Sequence, residues 1–142
     1  MLRSPRLAKT LFAVPMAVFG LLHFGPLEFS LPYVPAWLPA PAFWIYLAGA
    51  GLLAFALSVA LGRFDRIAAR LLALELLLFV LLTHLPNALD GDFVRAIAVF
   101  RDVAMAGAAL MYAEGFARDR RTGFRAPRPA SASAKTPATF LA

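Results

Sequence analysis

Residues 70–86, RLLALELLLFVLLTHLP, constrain this chain more than any other stretch. Leucine and other large apolar residues fill it almost completely. A run this apolar reads as a membrane span. Two positions break the pattern: Glu75 near the start and His84 at the far end. A carboxylate inside a span is costly, so Glu75 needs a partner or a function.

Composition supports the same solvent. The chain is 61% hydrophobic and 15% charged, whereas soluble domains average about a quarter charged. The formal net charge is +6. A basic balance often signals nucleic acid, but here the aromatic residues lie in apolar runs and not among the basic ones. No nucleic-acid partner is therefore expected, and the bilayer is the expected partner: basic residues orient spans and meet anionic headgroups. The absence of cysteine excludes disulfides, thiol redox chemistry and thiolate metal sites within the chain.

The chain divides into a helical membrane domain, 1–116, and a tail, 117–142. A basic leader precedes the first span, 7–25. It resembles a secretory signal, but no small-x-small site follows closely, so an uncleaved span is expected. Pro15 should kink this helix or sit in its outer turns. Residues 26–41 hold five prolines among Phe29, Tyr33 and Trp37. Proline at that density stops a helix, and the aromatics suit the headgroup zone, which predicts an ordered interfacial cap. The second span, 42–62, carries no charge and is rich in Ala and Gly, which let helix backbones approach closely in lipid. A charged turn leads to the third span, 67–85. A short acidic loop then leads to the fourth, 93–112, with Arg101-Asp102 in its middle and Ala98, Ala104 and Ala108 on one face. The basic, Pro/Ala/Ser-rich tail is expected to be disordered.

The basic residues set the orientation. Arg3, Arg6 and Lys9, then Arg63, Arg66 and Arg70, then six in the tail account for twelve of fourteen. By the positive-inside rule both termini and the middle turn face the cytoplasm. The expected fold is therefore an all-α, polytopic four-helix bundle in the cytoplasmic (inner) membrane of a bacterium.

Depth along the helices suggests partners. Glu75 lies roughly 15 Å and Arg101 roughly 12 Å below the outer surface. Spans three and four are antiparallel neighbours, so a Glu75–Arg101 pair is expected. Asp102 points about 100° away from Arg101 and shares its side with Arg95. Glu75, Arg101 and Asp102 read either as a structural network fixing helix register or as a polar cavity or proton relay. His23 and His84 sit near the outer ends of their spans. Such a pair can ligate haem iron or hold a quinone headgroup, or each can be an interfacial polar residue satisfied by backbone or water. Glu75 and His84 are about 13.5 Å apart along the helix axis, too far for one metal ion. No HExxH, GxGxxG, phosphate-loop or Ser/His/Asp signature is present, so no catalytic or metal-binding residue is identified.

Five segments together resemble the DoxX-like family of small four-helix bacterial membrane proteins. They are Phe19-Gly20-Leu21-Leu22-His23-Phe24, Val34-Pro35-Ala36-Trp37-Leu38-Pro39, Trp44-Ile45-Tyr46-Leu47-Ala48-Gly49, Thr83-His84-Leu85-Pro86 and Arg101-Asp102. One departure is Leu52, where many members carry a glutamate three residues after the matching glycine. The resemblance implies an accessory, non-catalytic subunit linked to respiratory redox chemistry. Alternatives are a small-molecule or proton carrier using Glu75, Arg101 and Asp102, or a scaffold binding other membrane subunits or further copies of itself.

Overall fold

A computed structural model of the chain describes residues 5–118, and its regular structure is helical, with no strand among the described residues. Helix α1 is Pro5–Leu22 and continues through Pro15. It stops three residues short of the expected end, so His23 lies in the turn beyond it. Helix α2 is Pro41–Leu61, with proline in its first turn, where the missing N–H costs nothing. Gly62 closes α2 at φ 65°, a left-handed conformation that suits glycine. The next helix, α3, begins three residues later and covers Asp65–Phe79.

Beyond Phe79 the chain departs from expectation. A span ending before Pro86 is predicted, because proline clashes with the carbonyl four residues back. Instead Val80–His84 form a π-helical turn, and α4, Leu85–Leu89, continues the same rod. The wider turn carries the helix past Pro86. Asn87 Nδ2 donates to the Thr83 carbonyl at 2.8 Å, satisfying an acceptor in the altered ladder. Helix α5 is Phe93–Gly115, and the Asp92 carboxylate caps it by accepting from the Arg95 backbone N–H at 3.1 Å. The tail beyond Arg118 lies outside the described residues.

The proline-rich segment folds into two 3-10 turns, Leu27–Phe29 and Leu31–Tyr33. It is tied down at both sides. Trp44 Nε1 donates to the Pro39 carbonyl at 2.8 Å. The Arg95 guanidinium lies 4.1 Å from the Tyr33 ring centre, and its Nη2 reaches the Pro32 carbonyl.

Packing runs in chain order: α1 against α2, α2 against α3, and α3 with its π turn and α4 against α5. Small residues set the first contact. A Cβ on Gly49 would lie 2.9 Å from the Gly20 carbonyl oxygen and 2.7 Å from His23 Cβ. The core joins Met16 of α1, Leu52 and Phe55 of α2, Leu72 and Leu76 of α3, and Ala106, Ala109 and Tyr112 of α5. The buried stripe of α5 is Ala98, Asp102, Ala106, Ala109 and Ala113. Ala104 and Ala108, expected with Ala98 on one face, are exposed.

Large apolar side chains also point outward: Leu71, Leu74 and Leu81 from the third helix, Leu57 and Leu61 from α2, Ile97 and Phe100 from α5. Water does not tolerate such an all-round apolar surface, whereas lipid does. Pro41–Leu61 and Asp65–Leu89 are each long and apolar enough to cross a membrane. A third crossing is present if Arg6–Leu22 and Leu27–Tyr33, bent by 110°, form one broken span.

Candidate functional site

Three polar levels occur along the packed helices. At one end, Asp65 opens α3 and is 0% exposed. It accepts a hydrogen bond from the Tyr112 hydroxyl at 2.9 Å and from the Arg118 backbone N–H at 2.9 and 3.0 Å to its two oxygens. Nearby, Lys9 Nζ donates to the Phe116 carbonyl at 2.7 Å and lies 5.2 Å from the Tyr112 ring centre. Arg66 and Arg70 both clamp Glu114, at 2.8 and 2.6 Å. The Arg70 and Arg66 hydrogen bonds hold the Glu114 carboxyl below the usual carboxylate range. These contacts bring the start of α1, the α2–α3 turn and the end of α5 together. Sequence reasoning missed Asp65, reading it as part of a charged turn.

In mid-bundle, the Glu75 carboxylate is seated against Gly51 of α2, where a Cβ would collide with it. Its Oε1 is buried, with no hydrogen-bond partner among the described residues. The expected Glu75–Arg101 pair does not form. Equal depth on adjacent helices does not fix which way each side chain points, and Arg101 turns elsewhere.

Arg101 turns to its own neighbour. Its Nε donates to Asp102 Oδ1 at 2.7 Å, although the Cα–Cβ directions diverge. The long guanidinium side chain folds back over the helix surface and stays half-exposed. Asp102 is 1% exposed and faces the π turn, where His84 Nε2 stands 3.2 Å from Asp102 Oδ2. Arg95, the expected companion of Asp102, instead contacts Asp92 at 3.7 Å. The result is an Arg101–Asp102–His84 row linking α5 to the π turn. Glu75 is not part of it.

This row retains hydrogen-bonding capacity. His84 Nε2 approaches Asp102 Oδ2 to 3.2 Å, and His84 Nδ1 is buried without a hydrogen-bond partner among the described residues. Buried polar atoms of this kind are uncommon and call for an explanation. The π turn supplies the geometry: its extra residue rotates the later part of the helix and carries His84 towards α5.

His23 has a different setting. Its Nδ1 is 2.7 Å from the Phe19 carbonyl, which only accepts, so Nδ1 carries the proton in that contact. His23 is thus held by its own helix end, and His84 faces Asp102. The expected companionship of the two histidines is not what holds either. Iron ligation through His84 Nε2 would displace Asp102. No group of three or more His, Asp or Glu among the described residues could hold a metal ion.

No family model, curated protein or solved structure matches this chain.

Proposed function

We propose that this chain is a DoxX-like, four-span protein of a bacterial inner membrane, with both ends cytoplasmic, acting as an accessory subunit in membrane redox chemistry. In this reading α1 and α5 join the two more apolar helices as spans. The Arg6, Lys9, Arg63, Arg66, Arg70 and Arg118 side chains then share the inner face, consistent with the positive-inside rule.

The observation that carries the functional part is the Arg101–Asp102–His84 row, in which His84 Nδ1 is buried and makes no hydrogen bond among the described residues. A quinone-class headgroup needs a donor for its carbonyl oxygen, and a quinol needs an acceptor for its hydroxyl proton. A neutral imidazole whose Nε2 faces a carboxylate has its tautomer and orientation fixed from behind. With Nε2–H turned to the carboxylate, His84 Nδ1 accepts the hydroxyl proton of a quinol-class headgroup, while Arg101 holds the carboxylate in place. The chain's role in this reading is to bind and orient the headgroup and to take or return its proton. Electron transfer belongs to the partner subunit.

The test is purification from native membranes in lipid discs, with mass spectrometry of everything bound. Quinone-class lipid, an oxidase component, or both should accompany the chain. His84→Ala should lower the bound quinone about tenfold, the equivalent of one good hydrogen bond. A chain that copurifies with neither class of molecule overturns the reading.

A further inference from the structure

We infer that Glu75 is a proton-binding site inside the bundle, separate from the His84 row, with its carboxyl group seated in the notch left by the absent side chain of Gly51. This site is independent of the redox reading.

Three observations carry it. First, the notch is specific: a Cβ at Gly51 would meet the Glu75 carboxyl, so this glycine is what makes room for it. Second, Oε1 is buried and has no hydrogen-bond partner among the described residues. Third, no cation among the described residues is paired with it. Helix α2 has no charged residue over Pro41–Leu61, and its only titratable group is Tyr46, five residues before Gly51. Along the third helix the nearest charged or titratable groups are Arg70, bound to Glu114, and His84, facing Asp102. From α5, Arg101 and Asp102 are engaged with each other. From α1, Lys9 is bound to the Phe116 carbonyl and, just beyond the helix, His23 to that of Phe19.

An ionised carboxylate so placed lacks a counter-charge. Neutralisation by a proton is the ordinary outcome for a buried, unpaired acid. Intramembrane acids without structural partners mark ion and proton pathways. The notch gives Glu75 a fixed seat from which a proton is taken up and released, and the ligand of this site is the proton itself.

The site has a chemical signature. A protonated carboxyl in an apolar setting adds its O–H across one C=N bond of a carbodiimide. The carboxyl oxygen bonds to the central carbon, the proton goes to nitrogen, and nothing leaves. Acyl migration from oxygen to nitrogen then gives a stable N-acylurea. The full-length protein in lipid vesicles is treated in parallel with dicyclohexylcarbodiimide and with a water-soluble carbodiimide, followed by peptide mass mapping. Glu75 should carry the adduct with the lipid-soluble reagent and not with the water-soluble one. The yield should fall about tenfold per pH unit once the group ionises. Infrared spectroscopy of the unmodified protein should show a protonated carboxylic C=O band that is absent in Glu75→Gln. Equal labelling by both reagents, or a C=O band unaffected by Glu75→Gln, overturns the site. Either result leaves the quinone test above standing, and failure of the quinone test leaves this one standing.

Discussion

Two aspartates in this molecule are almost equally buried and differently used. Asp65 is 0% and Asp102 1% exposed. Asp65 accepts from the Tyr112 hydroxyl and the Arg118 backbone amide. Asp102 is answered by a guanidinium and an imidazole, and the imidazole is the one side chain whose ordinary charge change falls near neutrality. Equal burial therefore says nothing about role. A carboxylate bonded by fixed donors is a fastener. One that faces a titratable ring, with bonding positions left over, can handle a proton or a ligand.

The largest expected effect breaks the fastener. Asp65→Ala leaves the Tyr112 hydroxyl and the Arg118 amide without their acceptor. At roughly 1–3 kcal/mol for each unsatisfied buried donor, about 3 kcal/mol should be lost. Titration of the purified protein with denaturing detergent, followed by loss of helical circular dichroism, measures it. A loss equal to that of an exposed substitution would show that Asp65 is not a fastener.

Next comes the close contact between α1 and α2. Gly49→Leu pushes a side chain into the Gly20 carbonyl and His23 Cβ. Overpacking of this kind costs about 1–3 kcal/mol. Gly107→Ala is the control. A Cβ there meets nothing within 4 Å, so the same titration should show no loss and a gain of about 0.5–1 kcal/mol from helix propensity alone.

How much of this was legible without the fold depends on which quantity a residue's position fixes. Long apolar runs fix helices, so α2 and α5 begin within a residue of where the sequence places them. Position along a helix axis is also legible, because rise per residue is constant. Azimuth is less so. The Glu75–Arg101 pair failed on azimuth, and the π turn changed the azimuth of everything after Val80. A proline two residues past a histidine gives no sequence rule for an extra residue in the preceding turn. Asp65 was readable in principle: Asp65, Ala69, Leu72, Ala73, Leu76 and Val80 recur at helical spacing and are all buried. Its charged neighbours Arg63 and Arg66 drew the reading towards a surface turn.

A smaller effect separates the two aspartates by function. Asp102→Asn keeps an oxygen that accepts from Arg101 Nε, so only about 1 kcal/mol of stability should be lost as a charged hydrogen bond becomes neutral. The same change places an amide where His84 faced a carboxylate, and it should lower bound quinone as His84→Ala does. If Asp102→Asn instead destabilises the protein as much as Asp65→Ala while bound quinone per folded molecule stays constant, both aspartates are fasteners.

The smallest effect comes from Glu114, whose pairing with two arginines at the basic end is screened by solvent. The sign follows from its lowered folded-state value. Unfolded, the carboxyl titrates near 4.5; folded, the Arg70 and Arg66 guanidiniums favour the charged form. The unfolded chain therefore takes up the proton first as pH falls. The clamp's contribution is fully present above about 4.5 and disappears as pH drops through the lower folded value. Glu114→Gln should flatten the stability-against-pH curve in that window alone and leave its shape unchanged near neutrality, apart from a small constant offset.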